Sequence, residues 1–111
     1  MKKTLYKKEQ LEFSETGKVI TLKYFLLETD LEIDGCILKC YGVEIKKTAP
    51  SGEHRLSEVK QISNTFFNKS EALLFLEMLA RNTVTPIALS GVLEDYITEA
   101  VRSHNRLPVL I

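Results

Sequence analysis

Apolar and polar residues alternate from the beginning of the chain. Between Thr4 and Phe13, Leu5, Leu11 and Phe13 share one parity, with Lys7 and Glu9 between them. That is the two-residue period of a strand, and its charges suit a sheet edge. Ser14-Glu15-Thr16-Gly17 reads as a hairpin turn. Lys18 to Thr29 follows, with Ile20, Leu22, Tyr24 and Leu26 on one face. Val19, Thr21, Lys23, Phe25 and Leu27 occupy the other, so this strand is expected to be central and covered on both sides. Asp30 to Gly35 is acidic and ends in Asp-Gly, a turn signal. In the third strand, Cys36 to Lys47, the apolar parity changes from Cys36, Leu38 and Cys40 to Tyr41, Val43 and Ile45. A parity change implies an extra residue or two buried faces, and Gly42 places the predicted β-bulge at Tyr41-Gly42. Ala49-Pro50-Ser51-Gly52 reads as a loop. His54 to Ser63, with Leu56, Val59 and Ile62 three apart, fits an irregular strand or a short helix. The strand, paired with the third, is the reading taken.

The period then becomes helical. Asn68-Lys69-Ser70-Glu71 matches a capping box, with Glu71 reaching back to the cap. Ala72, Leu73, Phe75, Leu76, Met78, Leu79 and Ala80 make a helix apolar on most sides, and therefore buried. It is expected to stop at Arg81-Asn82, with the asparagine left-handed. Pro86 cannot lie inside a helix, so Thr83 to Pro86 is a connection. Ser90 is the expected cap of a second helix, Gly91 to Ser103, whose stripe is Val92, Leu93, Tyr96, Ile97, Ala100 and Val101. Strands followed by helices predict an α+β domain: an antiparallel sheet of about four strands in ββββαα order, with two C-terminal helices packed on one face. The expected organisation is a single domain over 1–111, with the sheet at 4–63, the helical pair at 68–103 and an apolar tail at 104–111. The tail is expected to close the groove beside the helices or to dock on a second subunit.

Composition narrows the function classes. Lysine plus arginine and aspartate plus glutamate are 15 each among 111 residues, and 44% of residues are hydrophobic. A disordered or collagen-like chain is excluded. The basic surplus of a nucleic-acid binder is missing, and Lys2, Lys3, Lys7 and Lys8 read as a solvated strand face. Met-Lys-Lys opens the chain without an apolar signal region behind it, and no apolar run approaches a membrane span. The expectation is a cytoplasmic protein without nucleic-acid or membrane contacts. Cys36 and Cys40 on one strand would stand roughly 13 Å apart, too far for a disulfide or one shared metal. They read as buried small apolar residues. His54 and His104 read as surface or capping residues, and Glu94-Asp95 as a solvated helix face. No nucleophile elbow or glycine-rich phosphate loop occurs. No catalytic residue, metal ligand or cofactor is assigned.

Several segments carry a resemblance. Tyr-Gly-x-Glu-Ile at Tyr41 to Ile45 is followed by Ile62-Ser63, then Asn-Thr-Val-Thr-Pro at Asn82 to Pro86, Leu89, and Val92-Leu93-Glu94-Asp95-Tyr96. This resembles a family of small uncharacterised bacterial proteins, a domain of unknown function found mainly in anaerobic spore formers. The resemblance spans roughly Leu5 to Ile97. It implies a cytoplasmic, single-domain protein and no activity. One departure is Ala88, where the family carries histidine, so a role of that histidine does not transfer.

Two functional readings follow. The first is a non-enzymatic interaction protein, a homodimer or an accessory regulator, contacting a protein partner or itself. If both helices lie on one face, Val19, Phe25 and Leu27 need another lid, and Thr85, Pro86, Leu89 and Tyr96 offer a recognition edge. The second is a small-ligand binder or enzyme with its site between sheet and helices near Cys36, Cys40, Tyr24 and Tyr41. It requires a cavity of roughly 300 Å³ there.

Overall fold

Strand β1 spans Lys2–Phe13, β2 Lys18–Ile33, β3 Cys36–Ser51 and β4 His54–Phe66. Helix α1 spans Lys69–Arg81, a 3₁₀ turn covers Pro86–Ala88, and helix α2 spans Leu89–His104. The computed structural model describes residues 1–13, 15, 17–51 and 54–104, with the backbone alone at 13, 51, 54, 55, 103 and 104. The apolar tail, 105 onward, lies outside the described residues, as do the side chains of His54 and His104. The strands form one antiparallel meander in the order β1-β2-β3-β4. The fold is α+β, with the helices on one face of the sheet.

The core lies between that face and the helices. Leu22, Tyr24 and Leu26 of β2, and Tyr41, Val43 and Ile45 of β3, are buried against Ala72, Phe75, Leu76 and Leu79 of α1 and Leu89 of α2. Phe66, Phe75 and Tyr96 form an aromatic cluster, with centroids 5.0 to 6.3 Å apart. Offset rings at such spacing add to the burial energy. The second half of α2 leaves this core, and Ile97 and Val101 of its expected stripe are exposed. Among the described residues no helix is long and apolar enough to cross a membrane.

Several boundaries differ from the expectation. β2 continues through Asp30 to Ile33, leaving only Asp34 (φ 50°) and Gly35 (φ 80°) as the turn. Two positive φ angles make a type I′ turn, whose twist suits long paired strands. The alternation of Asp30-Leu31-Glu32-Ile33 continues the strand, despite its acidic composition. β3 likewise runs through Ala49 and Pro50, where a loop was expected, and β4 is a strand extended to Phe66. Asn68 caps α1, accepting from the amides of Ser70 (2.8 Å) and Glu71 (3.3 Å). The left-handed residue after α1 is Thr83 (φ 47°), since Asn82 stays at φ −97°. The amide of Thr83 donates to Ala80 O and that of Val84 to Leu79 O, closing a Schellman motif with Leu79 and Val84 as its apolar pair. α2 follows directly on the 3₁₀ turn at Leu89, so Ser90 lies in its first turn and does not precede it.

Two irregularities shape the sheet. β1 carries an extra residue at Tyr6, between the Leu5↔Phe25 and Lys7↔Tyr24 pairs. Leu5 and Leu11, expected on one face, therefore lie on opposite faces. In the β3–β4 ladder Tyr41 pairs with Phe66 and Val43 with Ile62. The irregularity sits at Gly42, as expected, but β4 carries the two extra residues, since Ser63 to Thr65 stand opposite Gly42 alone. β3 itself pairs with β2 without interruption, so its parity change records a change of face: Cys36, Leu38 and Cys40 lie on the outer side, where only Cys40 is buried, and Tyr41, Val43 and Ile45 lie on the core side. Gly42 has no room for a side chain: a Cβ would collide with the Ile62 carbonyl and come within 2.8 Å of Ser63 Cα.

Because those neighbours are backbone, Gly42→Ala must displace β4. The expected loss is about 2 kcal/mol of stability by denaturant titration. Gly91→Ala, in open space on α2, should gain roughly 0.5–1 kcal/mol. Equal stabilities for Gly42→Ala and the parent chain would contradict the crossing at Gly42.

Candidate interaction site

The Asn82–Pro86 connection is positioned by the sheet. Tyr24, fully buried at the centre of β2, donates its hydroxyl to the carbonyl oxygen of Val84 at 2.9 Å. A buried carbonyl of this kind needs a donor, and the strand supplies it from 60 residues away. Burial, assisted by the nearby negative charge of Glu9, pushes the Tyr24 phenol up to about 12. The phenol therefore stays protonated as a donor. Thr85 precedes the 3₁₀ turn in an extended conformation and Pro86 opens it, where a missing N–H is harmless.

The residues expected to contact a partner divide between opposite faces. Leu89 is fully buried, Pro86 is buried, and Thr85 and Tyr96 are half-buried, all on the helix side. Val19, Phe25 and Leu27 lie on the other face. There Val19 is 39% exposed, Phe25 half-buried and Leu27 only 1% exposed. The outer face thus has a lid made by this chain. The Lys3 ammonium lies 4.8 Å from the Phe25 ring centroid and 3.1 Å from Glu44 Oε2. Gln61 Nε2 donates to Glu44 Oε1 at 3.0 Å. Glu44, 4% exposed, is paired at both oxygens, as a carboxylate removed from water must be.

A different element is left uncovered. β1 reaches β2 only as far as Glu28, and β4 leaves β3 at Tyr41. Beyond them β2 and β3 continue as a two-stranded arm, from the Thr29↔Cys40 pair to the Ile33↔Cys36 pair. The period of two sorts its side chains. Leu31, Ile33, Cys36 and Leu38 share one face, with Leu31 opposite Leu38 and Ile33 opposite Cys36. Asp30, Glu32, Ile37 and Lys39 share the other, where Asp30 and Lys39 approach to 3.8 Å. Ile33, Leu38 and Ile37 are 52%, 40% and 71% exposed. Among the described residues neither edge of the arm has a neighbouring strand. The acidic character of Asp30 to Gly35 hid this element, although strict alternation on both sides of Asp-Gly is a hairpin signal.

Among the described residues, the groups named for a small-ligand site stand as follows. Cys36 is exposed on the arm, Cys40 is buried, and both are free thiols. Tyr24 and Tyr41 are buried in the core. A hollow of about 330 Å³ is lined by Glu58, Val59, Lys60, Pro86, Ile87 and Ser90. Others of about 430 and 210 Å³ lie at Met1, Glu28 and Lys39 and at Tyr6, Glu77 and Arg81. None of the three is lined by Cys36, Cys40, Tyr24 or Tyr41. Among the described residues no group of three His, Cys, Asp or Glu could hold a metal ion. Glu94 and Asp95 are both exposed on α2.

Residues 1–99 match the model of the "Family of unknown function (DUF6514)", and the chain belongs to that family. Comparison with curated proteins and with solved structures gave no significant match.

The buried Tyr24 hydroxyl makes the connection sensitive to alkali. The phenol titrates near its ordinary value of 10 when unfolded and about 12 when folded, so its contribution is complete below pH 10 and lost as pH rises toward 12. Tyr24→Phe should lower stability at neutral pH by about 1 kcal/mol. It should also flatten the decline between pH 10 and 12 in chemical melts. An unchanged alkaline decline in the variant would show that Tyr24 does not carry it.

Proposed function

We propose that this family member is a non-enzymatic, cytoplasmic interaction protein, and that the β2–β3 arm is the element it presents to a protein partner or a second copy of itself. The carrying observation is the arm's apolar face, Leu31, Ile33, Cys36 and Leu38, which lies on the side of the sheet opposite the helices and past the ends of β1 and β4; Ile33, Cys36 and Leu38 are exposed and Leu31 is half-buried. An isolated two-stranded ribbon is marginally stable in water. A third layer against that face stabilises it, and its unpaired edges can also accept a strand. Exposed apolar groups that no part of the described chain covers mark contact surfaces. A reducing cytoplasm suits Cys36, which stays a free thiol at the arm's apolar face.

Self-association is the form tested first. Sedimentation velocity and light scattering should show a concentration-dependent rise in mass up to about 1 mM protein. The double substitution Leu31→Lys, Leu38→Lys should weaken association at least about tenfold without lowering the melting temperature, because neither leucine belongs to the core. If the parent chain stays monomeric, the same variant should lose the partner captured by the parent from its native cell. A monomer whose captured proteins are identical with and without the substitutions would sink the proposal.

A further inference from the structure

The outer face of the sheet also carries a row of like charges. Lys8 is paired with Lys23, and Lys23 with Lys46, so three lysines stand side by side on β1, β2 and β3. At about 4.8 Å between strands the row spans roughly 10 Å. Like charges directly opposite each other destabilise a sheet. Elsewhere this sheet sets opposite charges in register, as at Lys2↔Glu28, Asp30↔Lys39 and Lys47↔Glu58. Lys23 and Lys46 are half-buried and Lys8 is exposed, and none of the three has an ion pair among the described residues. Glu44, two residues before Lys46 on the same face, is occupied by Lys3 and Gln61. The next row, Gln10, Thr21, Thr48 and Ser57, offers uncharged hydrogen-bonding groups. Val59 completes the lysine row on β4, and Leu5 flanks it; they are 54% and 49% exposed.

We propose that this lysine row is a docking site for an acidic, partly apolar segment of a protein partner, lying across the strands with carboxylates on Lys8, Lys23 and Lys46 and apolar side chains against Val59 and Leu5. Charge complementarity chooses the occupant. The row leaves three cations uncompensated on a chain of zero net charge, and an acidic segment removes their mutual repulsion on binding. A nucleic acid fits less well. Three phosphate contacts give little affinity in salt, and neither Phe25 nor Tyr6, each two residues from a lysine of the row, presents a free ring on this face for base stacking. Phe25 is covered by Lys3, and Tyr6 lines a hollow on the helix side with Glu77 and Arg81. The site is separate from the arm and does not depend on what the arm binds.

The test is fluorescence anisotropy with a dye-labelled peptide alternating glutamate and valine, beside an oligonucleotide of equal charge, on the full chain. At about 0.05 M salt the acidic peptide should bind, and binding should weaken steeply toward 0.3 M. Lys23→Glu and Lys46→Glu should each weaken it at least about tenfold. Lys60→Glu, an exposed control paired with Ile45 on the helix side, should change it less than about twofold. Lys23→Gln should raise the melting temperature while lowering affinity, a combination that a merely structural lysine would not give. No binding at low salt, equal losses for Lys60→Glu and Lys23→Glu, or tighter binding of the oligonucleotide would each overturn the proposal.

Discussion

The structure depends on a mismatch of lengths. β2 and β3 are 16 residues each, about 53 Å of extended chain. α1 is 13 residues, about 20 Å. No placement of such a helix covers such strands from end to end. The molecule measures 51 × 33 × 18 Å, with the helices serving one stretch of one face. At the centre of that stretch, Tyr24 joins the two layers through Val84. Everything outside it must be covered by the sheet itself or by another molecule.

The chain meets part of that demand with its own residues. Gly42, stripped of a side chain, lets β4 cross close over β3, and the bulge at Ser63 to Thr65 accommodates the crossing. Lys3 and Gln61 converge on Glu44, and Lys3 covers the Phe25 ring. The Lys3–Glu44 pair is half-buried, with the Lys3 side chain 48% exposed and Glu44 buried, so it adds little net stability, but removing Lys3 strands the Glu44 charge. Such a lid thus works more as a constraint on register than as a source of free energy. It extends neither to the arm nor to the lysine row. Those two places, one apolar and one cationic, are among those where the described residues leave side chains without partners of their own.

Much of this was legible in the residue pattern. The order of four strands and two helices, the central place of β2 and the Asn68 cap all follow from periodicity and capping chemistry. The parity change in β3 was legible too, but its cause was not. One strand read alone cannot show that the bulge belongs to its neighbour, because the register is a property of the pair. The arm was missed because acidic residues at Asp30, Glu32 and Asp34 resemble a loop when counted and a strand only when their alternation is followed. Thr83 was missed because β-branched residues seldom take left-handed angles, whereas Asn82 does so readily. The lysine row could not be seen at all: Lys8, Lys23 and Lys46 are far apart in sequence and meet only once the register is fixed.

Hydrogen exchange on the dilute chain, resolved by residue, is the most direct measurement of the central claim. Amides at Leu22 to Leu26 and Val43 to Ile45 should be strongly protected, and those at Asp30 to Lys39 should exchange several orders of magnitude faster. Slow exchange across the arm in the dilute chain, equal to that of the core strands, would mean that the chain already covers it and that no surface is left over for a partner.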